Sequence, residues 1–195
     1  MKTVVLASQN EKKSKELSEL LNPLGMVIQS QGALGVKEVE ETGLTFVENA
    51  LIKARHASFE TGYPAIADDS GLVVDALEGA PGLYSSRYGG EPGNDEVNLQ
   101  KVLHELKARG CERSPARYVC VIVYLKEWKD PLPIIAQGIW EGEVITTPRG
   151  QGGFGYDPIF WVASHECTAA ELSPAVKNSL SHRGKAMADL LREMS

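Results

Sequence analysis

The chain has too few cysteines to staple a fold and too little positive charge to coat a nucleic acid. Its three cysteines, Cys111, Cys120 and Cys167, are an odd count without metal-type spacing. Neither a disulfide framework nor a cysteine-held metal is therefore expected. Cys120 lies inside the apolar run 118–125 and reads as a core residue. The net charge of −6 excludes a nonspecific nucleic-acid binder with a basic surface, so no nucleic-acid partner is expected. One phosphorylated small molecule is not excluded, since it needs only a local cluster of Lys and Arg, or a metal. No apolar run is long enough to cross a bilayer, and the first one, 3–7, is too short for a signal peptide. A cytoplasmic protein with no membrane partner is expected. Internal repeats, low-complexity segments and flexible linkers are also missing. That leaves one continuous domain over residues 1–195, with 43% hydrophobic and 24% charged residues to build an ordinary soluble core.

Several familiar catalytic signatures are missing too. There is no Walker A loop and no G-x-S-x-G elbow, and the glycines from Gly150 to Gly155 follow a strand without a helix opening after them, which disfavours a dinucleotide fold. His56, His104 and His165 lack metal-ligand spacing and read as structural or surface residues.

Periodicity predicts the elements that are present. Residues 3–7 form a buried strand. A helix follows, capped by Asn10, with its stripe at Leu17, Leu20, Leu21 and Leu24. Pro23 and Gly25 end it, and 26–29 form a short strand. Residues 32–43 are a loop carrying Glu38, Glu40 and Glu41. Thr45 and Glu48 form a capping box for a helix through Phe46, Ala50, Ala54 and Ala57, with Asn49 and Lys53 on one face. Residues 79–93 are mostly loop, and Leu99, Val102, Leu103 and Leu106 mark another helix. Residues 117–125 are a central strand buried on both faces. Residues 133–147 are a further strand or a bent pair, and 159–162 another. The last helix has its stripe at Met187, Leu190, Leu191 and Met194, with Ser181 as its cap. The expected fold class is α/β: a mixed, strongly twisted sheet flanked by helices, with long loops on one side forming a cleft.

Four stretches carry candidate chemistry. Ala65-Ile66-Ala67-Asp68-Asp69-Ser70-Gly71-Leu72 reads as strand, sharp corner and strand, with two acids at the corner. Carboxylates there can hold a divalent metal or activate water, whereas the same residues also suit a plain exposed turn. Ser8-Gln9-Asn10-Glu11-Lys12-Lys13 joins the first strand to the first helix, where free N–H groups suit phosphate and a plain cap is the alternative. Gly150-Gln151-Gly152-Gly153-Phe154-Gly155-Tyr156-Asp157 can bring backbone amides close to a ligand. In it Phe154 and Tyr156 could stack on a flat base and Asp157 could accept from a ring N–H. His182 and Arg183, near Lys177 in sequence, fall in the first turn of the last helix. Cations oppose the helix dipole there, which a bound anion or a recognised ligand would explain. Ser70 occupies the second acid position of an Asp-x-Asp pattern, so water activation is simpler than an aspartyl nucleophile.

Together these stretches resemble the inosine triphosphate pyrophosphatase family. The resemblance rests on Ser8-x-Asn10-x-x-Lys13, Glu41-Thr42-Gly43-x-Thr45-Phe46-x-Glu48-Asn49-Ala50, Ala67-Asp68-Asp69-Ser70-Gly71-Leu72, Gly152-Gly153-Phe154-Gly155-Tyr156-Asp157-Pro158 and Ser181-His182-Arg183. It covers essentially the whole chain, with one small departure at Ser86, where Ala is expected. It implies hydrolysis of non-standard purine nucleoside triphosphates (XTP, ITP and dITP) to monophosphate and pyrophosphate. It further implies Mg²⁺, a homodimer, an elongated central sheet and an active-site cleft between two lobes. By residue, it implies that Ser8, Gln9, Asn10, Glu11, Lys12 and Lys13 cradle the phosphates, with Lys53 near them. Asp69 would be the general base and a metal ligand, with Glu41, or less clearly Glu40, completing the metal site. Ser70, Phe154, Gly155, Tyr156, Asp157, Lys177, His182 and Arg183 would hold the nucleotide. Two rival readings are a pyrophosphatase of similar architecture acting on modified pyrimidine triphosphates, and a non-catalytic nucleotide binder. A substrate panel separates the first, and a pyrophosphate-release assay the second.

Overall fold

The computed structural model describes residues 2–9 and 11–194, and for Glu11, Lys12, Lys13 and Glu16 the backbone alone. Among the described residues the strands are β1 (Lys2–Leu6), β2 (Met26–Ser30), β3 (Ala65–Val74), β4 (Arg113–Leu125), β5 (Ile134–Ile145), β6 (Phe160–Val162) and β7 (Cys167–Thr168). The α-helices are α1 (Glu11–Leu21), α2 (Phe46–Thr61), α3 (Asp95–Ala108), α4 (Pro174–Leu180) and α5 (His182–Met194). The strands form one sheet in the order β2-β1-β3-β4-β5-β6-β7. It is mixed: β1 runs parallel to β2 and β3, while β5, β6 and β7 are antiparallel in sequence. The α/β class expected from the sequence is the one observed. By its contacts the chain divides into two compact units. One is Met1–Asp69, Val121–Gln137 and Ala186–Ser195, and the other is Ser70–Cys120 and Gly138–Lys185.

In the first unit, β1 pairs with β2 from Lys2↔Met26 to Leu6↔Ser30, and with β3 at Val5↔Ala65 and Leu6↔Ile66. Parallel pairs need crossovers, and α1 and α2 supply them. Val4, Val5 and Leu6 are fully buried, as a strand covered on both faces requires. Leu17 and Leu21 bury the inner stripe of α1, which packs on β2. The buried line of α2 is Ala50, Ala54 and Ala57. These small, strongly helix-forming residues sit at helical spacing and let the backbone come close.

In the second unit, α3 buries Leu99, Val102, Leu103 and Leu106 in a core shared with Leu72 and Phe160. Its N-cap is Asn94, whose side chain accepts from the Val97 N–H at 3.2 Å. Residues 118–125 of β4 are buried without a break, as the apolar run predicts. In β5, Ala136, Gly138 and Trp140 are buried between exposed neighbours, the period-two pattern of a strand with one covered face.

One expectation about the elements is corrected. The corner at Asp68 and Asp69 does not exist, because β3 runs unbroken from Ala65 to Val74. An Asp-Asp-Ser-Gly run favours a turn locally, but Asp68 is only 5% exposed, so its surroundings override that preference. Of the two readings of residues 133–147, a single strand and a bent pair, the single strand is the one observed, as β5. The proposed cap Asn10 lies outside the described residues.

Candidate active site

Adjacent strand residues point to opposite faces. Asp68 and Asp69 therefore do not form a pincer on one ligand. The carboxylate that joins Asp69 comes from the loop before α2. Glu41 Oε1 lies 2.7 Å from Lys53 Nζ, and Asp69 Oδ1 lies 3.5 Å from the same nitrogen. Their side chains are mostly covered, at 18% exposure for Lys53, 23% for Glu41 and 11% for Asp69. Glu40, by contrast, is exposed. Burial pushes the Lys53 ammonium downward. The carboxylates of Asp69, Glu41 and Asp68 outweigh that and hold it above the usual lysine value. Lys53 is therefore a fixed positive charge across the physiological range.

The local sequence explains how Glu41 is held there. The Gly43 N–H donates to Asn49 Oδ1 at 2.8 Å, and the Leu44 N–H to Glu48 Oε2 at 2.9 Å. Thr45 Oγ1 donates to Glu48 Oε2 and accepts from the Glu48 N–H. A side chain at Gly43 would meet Glu48 Cβ at 2.6 Å, so the loop lies tight against the first turn of α2. The Asn49/Lys53 face predicted from their spacing is the face that meets this loop: Asn49 fastens its backbone and Lys53 its acid.

The donor chemistry suits a hard divalent cation. Mg²⁺ takes oxygen ligands, and commonly only one or two carboxylates plus waters and phosphate oxygens. Glu41 and Asp69 meet that requirement. Among the described residues no group of three or more His, Cys, Asp or Glu forms an all-protein cage, which a magnesium site shared with substrate does not need.

The Ser8 N–H donates to Leu6 O at 2.8 Å, and Gln9 is exposed. Glu11, Lys12 and Lys13 form the start of α1. The roles expected for their side chains, and for Asn10, lie outside the described residues.

The second unit holds the other group. Gly153 and Gly155 both have positive φ, +76° and +61°, and Phe154 between them is 72% exposed. Asp157 is 2% exposed. Its Oδ2 accepts the Phe154 N–H at 2.8 Å and pairs with Lys177 Nζ. Lys177 Nζ also lies 4.5 Å from the Phe154 ring centroid. Burial pushes the Asp157 carboxyl up, only partly offset by Lys177, the Phe154 N–H and Tyr118. Asp157 thus works as the loop's internal anchor. Tyr156 differs from its expected role as an exposed ring: it is 4% exposed, and its hydroxyl donates to Ser85 O at 2.7 Å. Phe154 alone of the two rings is open for stacking.

α5 begins where predicted. Ser181 Oγ accepts the Gly184 N–H at 3.1 Å, so Ser181 caps the helix. His182 and Arg183 are its first residues, both half-buried, as is Ser70. The His182 ring stacks on Tyr118 at 4.7 Å between centroids and 10° between planes. Tyr118 rests in turn on Phe160 and Trp140, so the aromatic core is a floor for His182. Sequence reasoning missed Tyr118, because it sits in an apolar run that reads as core. Gly184 was missed as well. A Cβ there would lie 1.9 Å from Asn178 O, so the glycine after Ser-His-Arg lets α5 start against α4.

The inventory is then a lysine between two carboxylates in the first unit of an α/β chain and, in the second, an exposed aromatic on a glycine-rich loop beside Lys177. Comparison with known proteins narrows the class: a profile of the Ham1 family matches residues 4–193. A dITP/XTP pyrophosphatase of Vibrio parahaemolyticus is 51% identical over 195 residues, 100% of this chain and 98% of its own length. One of Xanthomonas campestris is 56% identical over 194 residues, again 100% of this chain and 98% of its own. Among solved structures, a HAM1 protein from Coxiella burnetii superposes with a TM-score of 0.95 at 51% identity, covering 100% of this chain and 98% of that one. The Staphylococcus aureus Ham1 protein gives 0.89 at 38% identity, covering 99% and 98%. The chain belongs to the Ham1 family, which bears out the resemblance carried by its motifs.

Proposed function

We propose that this protein hydrolyses non-standard purine nucleoside triphosphates, XTP, ITP and dITP, to the monophosphate and pyrophosphate, with Mg²⁺. The observation that carries the reading is the Glu41–Lys53–Asp69 cluster. It lies in a chain whose full-length relatives bear the name dITP/XTP pyrophosphatase. Bound Mg²⁺ would offset phosphate charge and polarise the phosphoryl oxygens, with Glu41 and Asp69 as its protein ligands. Asp69 accepts a proton from the attacking water. The new oxygen–phosphorus bond forms at the α-phosphorus, the bond from that phosphorus to the α,β-bridging oxygen breaks, and pyrophosphate carries off the electron pair. Lys53 keeps Glu41 and Asp69 together and faces the phosphate charge. Residues 8–13 cradle the phosphates at the start of α1.

For the base, Phe154 is the stacking ring, and Lys177, with Asp157, fixes its loop. Ser70, Gly155 and Tyr156 complete the nucleotide-holding set, Tyr156 by bracing the loop from the core. His182 and Arg183 supply donors toward the 6-oxo group of hypoxanthine or xanthine. Adenine offers a 6-amino group there, which leaves those donors unpaired. We further propose a single catalytic domain acting as a cytoplasmic homodimer. Among the described residues no helix is long and apolar enough to cross a membrane.

The test is a panel of ITP, XTP, dITP, ATP, GTP, dUTP and methylated UTP with Mg²⁺, scored by pyrophosphate. Preference for the first three supports the reading, and preference for the modified pyrimidines overturns it. Light scattering of the purified protein reads the dimer.

A further inference from the structure

The Phe154 loop is gripped from two sides, and only one grip belongs to the motif. The Phe154 N–H is held by Asp157, three residues on. The next amide, Gly155 N–H, donates at 2.8 Å to Asp95 Oδ2, sixty residues away in sequence. Asp95 is exposed and opens α3, whose buried stripe fixes it to the core of this unit. The loop itself is poorly suited to hold its own shape. Gly153 and Gly155 flank the ring at positive φ, a backbone with many alternatives. The ring they carry is 72% exposed and meets the Lys177 ammonium at 4.5 Å from its centroid. A carboxylate on a rigid helix, accepting from the amide next to the ring, supplies what the loop lacks.

We propose that Asp95 is a positioning residue for substrate, setting the place of the Phe154 ring through the Gly155 amide. The inference rests on the reading of Phe154 as the surface on which the base stacks. A purely structural alternative exists, since an acid in the first turn of a helix also offsets the helix dipole. The two roles separate by substitution. Asp95→Asn removes the charge but keeps an oxygen that accepts from Gly155. Asp95→Ser also removes the charge and leaves the Asn94 cap of α3 in place, but its hydroxyl is too short to reach Gly155.

The experiment measures kcat and KM for ITP, with melting temperatures, on the wild type, Asp95→Asn, Asp95→Ser, Asp95→Ala, Phe154→Ala and Asp95→Ala/Phe154→Ala. Losing one charge-assisted hydrogen bond that orders a loop should raise KM roughly three- to tenfold in the Ser and Ala variants, with kcat within about twofold. Asp95→Asn should stay within about twofold of wild type in KM. In the Phe154→Ala background, Asp95→Ala should add nothing, because the ring it positions is gone. Wild-type KM in Asp95→Ser and Asp95→Ala overturns the inference, as does a full additive loss in the double variant. A KM for Asp95→Asn as poor as that for Asp95→Ala also overturns it, in favour of the dipole role. Unchanged KM in Phe154→Ala overturns instead the stacking role of Phe154, and the inference falls with it.

Discussion

Replacing Lys53 with methionine should expose how strongly Glu41 and Asp69 depend on it. The two separations, 2.7 and 3.5 Å, each correspond to about 5–6 kcal/mol of attraction at an effective dielectric constant of about 20. Desolvation of the three groups cancels much of that. What remains on breaking the cluster is the mutual repulsion of Glu41 and Asp69, with buried Asp68 beside them, and a net loss of about 2–4 kcal/mol follows. For a chain of this size that lowers the melting temperature by roughly 5–15 °C. Two further signatures follow. Millimolar Mg²⁺ should restore part of the loss in Lys53→Met, because a hard cation can take the place of the ammonium between the carboxylates. The stability gap to wild type should also follow the Lys53 proton. Its folded pKa is raised above 10.5, so its contribution is complete below about 10.5 and fades as pH climbs through the folded value. The assay is thermal unfolding of both proteins, with and without Mg²⁺, from about pH 7 to pH 11. A variant that melts with the wild type, or that Mg²⁺ leaves unchanged, would refute the reasoning that these three residues form one electrostatic unit.

Two other substitutions test the second unit. Arg183→Ala removes a donor proposed to face the 6-oxo group, and should lower the ITP-over-ATP ratio of kcat/KM by roughly ten- to a hundredfold; an unchanged ratio with early melting makes Arg183 a structural residue. Gly184→Ala places a methyl 1.9 Å from Asn178 O, and should destabilise by about 1–3 kcal/mol while raising KM for ITP by displacing His182 and Arg183; wild-type melting and KM would show that the junction of α4 and α5 yields freely.

The parts of this molecule that local rules govern were legible. The stripe Leu99, Val102, Leu103, Leu106 became α3, Thr45 and Glu48 became the cap of α2, and Ser181 became the cap of α5. What failed was local chemistry that long-range packing overrides. Asp68-Asp69-Ser70-Gly71 has turn composition, yet it lies within β3, where the sheet holds it extended. Phe154 and Tyr156 look alike in sequence, each beside glycine. One is open to solvent, and the other is sealed in the core by the Ser85 carbonyl and the side chains around it. α4 escaped notice because seven residues cannot display a stripe. The pairing of Asp95 with Gly155 has no signature along the chain at all, since it exists only once α3 is docked.

The central claim is that Asp69 drives attack of water between the α- and β-phosphates. It is tested most directly by following the products of ITP with Mg²⁺ for the wild type and Asp69→Asn. The wild type should release one pyrophosphate for each inosine monophosphate. Asp69→Asn should be slower by about a hundred- to ten-thousandfold, the scale of a lost general base, while its affinity for ITP stays within a few-fold. Turnover of Asp69→Asn near the wild-type rate, or inosine diphosphate and orthophosphate as the first products of the wild type, would contradict the account.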